Sequence, residues 1–316
     1  MSSAQRWLIF IVPRLSRFQR LAIFTTAITY LLILVGGLVR ASGAGLGCPD
    51  WPRCFGSWIP PASAAELPPE FDPSQFNPML MWTEYLNRIL GVTVGLLILA
   101  TVVSAWRHHR RDPKILWSSV AALLLTGFQG WLGGRVVAHE LAAWIVTVHL
   151  IVALVIVSLL LYATVSAFRP LAPSAPSAPS APLLSAVAVL ILVTLLQIAL
   201  GTQVRGRIDA ALDASVPRAD ALGTVGVLGS LHRDSALAVV VGALLVAFIV
   251  WRQRPNRSDL QFWAAVAVAL ALSQIALGIV MAYVSLAPAA QVGHLTVASL
   301  LLGAEMVLLL LLPREP

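Results

Sequence analysis

Apolar residues run along this chain in blocks too long for the core of a soluble domain. They are also too continuous for the two-residue alternation of a half-buried strand. The blocks fall at 21–39, 80–105, 115–136, 143–167, 183–204, 230–251, 261–284 and 292–312. Each is close to or above the roughly 20 residues a helix needs to cross about 30 Å of hydrocarbon. The pattern predicts an all-α integral membrane protein with eight transmembrane helices.

The polar positions that punctuate these blocks recur. Gln129 precedes His149 by 20 residues, Gln274 precedes His294 by the same 20, and 145 residues separate the two pairs. That offset also carries Arg88 onto Arg233 and Trp106 onto Trp251. The chain therefore reads as two copies of a four-helix unit, 1–168 and 183–316. A Pro/Ser/Ala-rich connector at 169–182 joins them, a composition that stays extended and solvated. Four spans per copy give both copies the same orientation, as tandem four-helix bundles related by a pseudo-twofold along the membrane normal.

Composition agrees with the pattern: 59% of the 316 residues are hydrophobic and 11% charged, with a mean hydropathy of +0.86. Such a chain has too little polar surface to coat a soluble globule. The net charge of +7 invites a nucleic-acid reading, which the positions of the charges exclude. Arg6, Arg14, Arg17 and Arg20 precede the first span. Arg107, Arg110, Arg111 and Lys114 follow the second, and Arg252, Arg254 and Arg257 follow the sixth. All three segments fall on one side, which the positive-inside rule makes cytoplasmic. Both termini are expected there, with no cleaved signal peptide, in the plasma (inner) membrane. Basicity here sets orientation, not a partner; the partner that the apolar composition implies is the lipid bilayer.

The candidate chemistry gathers at the opposite side. Cys48 and Cys54, the only cysteines, lie in the long outer loop after the first span, where they can close a short disulfide that either staples the loop or exchanges with a redox partner. In the second span Glu84 and Arg88 share a helix face, with Asn87 beside them. His149, His232 and His294 each sit within about two turns of an outer span end. One membrane histidine is an ordinary hydrogen-bonding residue; three at related positions and depth suggest ligands. In the second copy two spans supply one imidazole each, which suits a planar metallomacrocycle inside a helix bundle. Zinc would need four ligands, and Asp234 and Glu305 are badly placed to complete them. Arg40, Arg88, Arg205 and Arg233 stand at outer span ends, against the positive-inside trend, where a guanidinium pairs well with the carboxylates of such a pigment. His108 and His109 read as solvated in an inner loop, and His139 as a surface turn residue.

These residues resemble the haem A synthase family. The resemblance rests on GGLVRASGAGLGCPDWPRC, TEYLNRILG, GFQGWLGG with His149, LHR at 231–233, and Gln274 with GHLTVASLLLG. It implies haem b held permanently in the C-terminal half and haem O received as substrate in the N-terminal half. The implied reaction oxidises a porphyrin methyl to formyl by successive hydroxylations, supplying haem A to cytochrome oxidase. The implied partners are haem O, haem A, haem O synthase, cytochrome oxidase assembly factors and an electron donor it does not identify. Glu84 matches the family's glutamate, and Cys48 and Cys54 its cysteine pair. One position departs: the family pattern reads Glu-x-x-His-Arg, and here Asn87 stands where the histidine is expected. The internal offset gives the same result, because Asn87 answers to His232. The alternatives are a substrate haem held by His149 alone, a synthase impaired at this position, or a change introduced to trap the protein. Outside enzymes, the competitors are a di-His haem b electron carrier and, less favoured, a transporter of parallel repeats.

Overall fold

The computed structural model describes residues 15–168, 181–218 and 220–312. Arg6, Arg14 and the connector up to residue 180 lie outside the described residues. Among these residues there are eight α-helices and no strands: α1 Arg17–Ala41, α2 Pro78–His109, α3 Pro113–Ala138, α4 Ala143–Phe168, α5 Ala181–Asp213, α6 Val227–Gln253, α7 Ser258–Tyr283 and α8 Pro288–Leu311. All eight are long and apolar enough to cross a membrane. Each contains one of the eight apolar blocks apart from its end residues, so the expected class and span count hold.

Local chemistry sets the helix starts. Ser16 caps α1 in a reciprocal box with Gln19, satisfying two of the orphan N–H groups at a helix N-terminus. Asn77 and Asp112 cap α2 and α3, each followed by a proline at the first helical position, where its missing N–H costs nothing.

The structure corrects three local expectations. His108 and His109 belong to the last turn of α2, and His109 packs on Phe18 with ring centroids 4.7 Å apart. Residues 181 and 182 begin α5 rather than ending the connector. At its other end α5 runs on through Asp213, nine residues past the end of its apolar block at residue 204. The sequence RIDAALD is rich in good helix formers, and Asp209 accepts from Arg205 one turn back, at 2.6 Å.

Helix packing closes two rings. In one, α1 packs on α2 and α4 while α3 packs between them; in the other, α5 packs on α6 and α8 with α7 between. The rings join through α1 and α4 against α8, and α4 against α5. At the end bearing Arg17, Arg107 and Arg252 the interior is solid. Phe18, Ala22, Ala105 and Ile115 fill it in one ring, and Leu183, Val250, Leu260 and Leu308 in the other. At the loop end the interior is hollow.

Candidate functional site

The hollow is a cavity of about 1640 Å³ lined from both rings. Pockets for one drug-sized molecule run about 300–1,000 Å³, so there is room here for more than one. His149, His232, His294, Asn87, Glu84, Arg40, Arg88, Arg205 and Arg233 all line it. Sequence positions spread over six helices thus reach one space.

The imidazoles of His232 on α6 and His294 on α8 face each other across 6.3 Å between ring centroids, inclined at 71°. On His149, His232 and His294 alike, Nδ1 is buried with no partner. Among the described residues no three His, Cys, Asp or Glu converge as a metal-ion cluster.

A repeated support holds each histidine. The amide of Gln129 donates to the backbone carbonyl of His149 at 2.8 Å. Gln197 does the same for His232 at 2.6 Å, and Gln274 for His294 at 2.7 Å. Four residues after each glutamine, on the same helix face, comes a glycine under the ring. A Cβ on Gly133 would stand 3.6 Å from His149 Cε1, on Gly201 3.0 Å from His232 Cε1, and on Gly278 4.0 Å from His294 Cε1. Gly36 lies the same way beside Asn87, 3.9 Å from Oδ1, yet four residues earlier the chain has Leu32. The fourth position therefore lacks both the imidazole and the supporting amide. Gln197 and these glycines escaped the sequence reading. The glutamine-to-glycine spacing of four, present three times, is the signal that carries them.

Glu84 and Arg88 have a structural occupation. Glu84, 4% exposed, accepts from the Cys48 backbone N–H at 2.8 Å and from Arg88 Nη2 at 2.5 Å. Arg88 Nη1 donates to the carbonyls of Asp50 and Arg53 at 2.8 and 2.7 Å. The pair therefore ties the outer loop to α2. That loop is closed by the Cys48–Cys54 disulfide, and its Trp51, Pro52 and Trp58 cover the cavity. Trp51 lies so close to Gly134 that a Cβ there would come within 2.8 Å of the indole.

Of the other arginines, Arg40 and Arg205 share Asp209, at 2.9 and 2.6 Å. Arg205 still has Nε and Nη1 buried without partners, which leaves it short of an acceptor. Arg233 is exposed and pairs with Asp234 at 3.1 Å.

Fold and cavity together define an eight-helix, multi-pass membrane protein whose hollow end gathers imidazoles and guanidinium groups. The family model described as cytochrome oxidase assembly protein matches residues 19–306, and the chain belongs to that family. It is similar to the haem A synthase of Rhizorhabdus wittichii, 27% identical over 92% of this chain and 93% of the relative. Two other haem A synthases match more locally. The one from Shewanella oneidensis is 34% identical over 43% of this chain and 42% of its own length. The one from Alkalihalophilus pseudofirmus is 32% identical over 48% of each chain. Those two matches thus span under half of the relatives concerned.

Proposed function

We propose that this chain is a haem A synthase, a membrane oxidoreductase that converts a porphyrin methyl of haem O to formyl by successive hydroxylations. The facing pair His232 and His294 carries this reading. Metal–imidazole bonds of about 2 Å on either side of one metal, with half a ring's width at each end, come to about 6 Å; the rings stand 6.3 Å apart. The glycine-lined seats and the glutamine amides behind the two rings support the fit. His232 and His294 would hold haem b in the C-terminal half, and His149 haem O in the N-terminal half. Haem iron supplies the redox chemistry there.

The protein's own groups do the rest. Arg205, with two unpartnered nitrogens, and Arg40 beside it would bind a carboxylate at the loop end, with Arg233 at the rim. Glu84 and Arg88 hold the tryptophan-bearing loop over the first site, which keeps water out. Asn87 offers an amide, a poor ligand for haem iron beside imidazole, so His149 alone would hold the substrate.

The same observations support reading the two rings as duplicated bundles, 1–168 and 183–316, joined by the connector. Both termini are then cytoplasmic and the cavity opens toward the opposite face of the plasma membrane, as the arginine-rich end implies. The partners are haem O, haem A, haem O synthase, cytochrome oxidase assembly factors and an electron donor. A second reading, a haem b electron carrier with a crippled first half, draws on the joint departure at Leu32 and Asn87. Expression in cells that make haem O but lack a haem A synthase separates the two. The first reading expects haem A to appear; haem b retained with no haem A supports the second.

A further inference from the structure

The two halves of the cavity differ in their side walls. Where α2 faces α3, the wall is made by Gly91, Gly95, Gly127 and Gly130. A Cβ on Gly91, Gly127 or Gly130 would meet nothing within 4 Å, and one on Gly95 only Thr126 at 3.8 Å. The 145-residue offset puts Ala236, Val240, Leu272 and Ile275 at the corresponding places between α6 and α7.

The cavity also reaches further in the first half. Along α2 it continues past Val94 to Leu99, and along α3 to Leu123; in the second half it stops at Val239 and Ala271, the counterparts of Val94 and Thr126. On α2 the difference is five residues, about 7 Å of helix toward mid-membrane. Leu96 and Leu124 line this extension yet are 62% and 70% exposed. Lining the cavity while facing outward, this pair marks an opening at the depth of the extension, whereas the second half's large exposed lining residues on α7, Ile279 and Tyr283, stand near the loop end. His149, its buried Nδ1 unpartnered, lines the same space.

We propose that this lipid-facing slot between α2 and α3 seats the long isoprenoid chain of a tailed haem and is the door by which that substrate enters. The proposal rests on the haem O reading above and adds how haem O is told from haem b, which has no such chain. A tailed haem partitions into the bilayer. Entry from the loop end would drag its chain through water and past the arginine rim, at the cost of exposing apolar surface. Entry through the slot leaves the chain in hydrocarbon throughout, with the carboxylates rising toward Arg40 and Arg205. Four glycines supply the width. The second half, with larger side chains at the corresponding places, suits a cofactor that has no tail and does not exchange.

The test is a spectral titration of the purified full-length protein, with haem b already bound in the second half, using haem O and then extra haem b as probes. The expected result is His149-dependent binding that is at least tenfold tighter for haem O. In Gly95→Leu and Gly127→Leu proteins that advantage should fall to about twofold or less, with haem b binding at His149 unchanged and the resident haem b spectrum intact as a check on folding. Gly95→Ala should give a smaller loss in the same direction. Equal affinity of the unmodified protein for the two haems, both dependent on His149, overturns the slot and leaves the haem site standing. So does a leucine variant that weakens both haems alike or neither; the latter is expected if a lipid chain fills the slot. Absence of any His149-dependent binding overturns the slot and the haem O reading together.

Discussion

Asn87 is informative because it does not depart alone. Each of the three histidines has a glutamine amide on its backbone carbonyl, whereas the fourth position has Leu32 where that amide belongs. A histidine introduced at 87 would find room, since Gly36 leaves the seat open, but not the support. We therefore expect Asn87→His to raise haem A output in haem O-producing cells, and Leu32→Gln with Asn87→His to raise it further, both scored by pigment extraction. A double variant no better than the single one would remove the glutamine from the account. Gly201 gives the complementary test. A methyl 3.0 Å from His232 Cε1 must shift the ring, so Gly201→Ala should lower resident haem b occupancy several-fold without unfolding the protein. Occupancy equal to that of the unmodified chain would show that the seat has slack. At this scale the sequence was half legible. The histidines announced themselves as polar residues in apolar blocks, but the glycines did not, because a missing side chain leaves no polar mark.

The outer loop and α2 behave as one element because Glu84 and Arg88 join them. Removing one partner of a mostly buried ion pair strands the other, at about 3–5 kcal/mol when burial is complete. Arg88 keeps some solvent access, so a smaller figure, about 2 kcal/mol, is appropriate. Arg88→Ala should therefore loosen the loop and speed proteolysis between residues 42 and 77 while the helices remain folded. Arg88→Lys should rescue only part, since one ammonium cannot serve Glu84 and the carbonyls of Asp50 and Arg53 together. Reduction of Cys48–Cys54 should produce a similar protease sensitivity, read by the same digestion. Unchanged cleavage in all three cases would mean that the loop is held by its buried Phe55 and the partly buried Phe71 and Phe76 alone. Periodicity located the helices because hydrocarbon demands long apolar runs. It misjudged the end of α5, where the helix leaves the apolar block and continues on Asp209 and its arginine partners.

Across the whole molecule the interior is filled at one end and hollow at the other, and the hollow is shared. The contacts that make it one space, α1 and α4 against α8 and α4 against α5, join helices far apart in the chain. No local pattern carries them, and the sequence offered only the likeness of the two halves, not how they meet. Shared walls have a functional consequence: a haem held by His232 and His294 and a substrate held by His149 would lie in the same cavity. The most direct measurement is the pigment content of protein purified from haem O-producing cells, unmodified and with His149→Ala or His294→Ala. The prediction is haem b together with haem O or haem A in the unmodified protein, loss of the O- or A-type pigment alone with His149→Ala, and loss of haem b with His294→Ala. One kind of pigment in the unmodified protein, or haem b undiminished in His294→Ala, would contradict it.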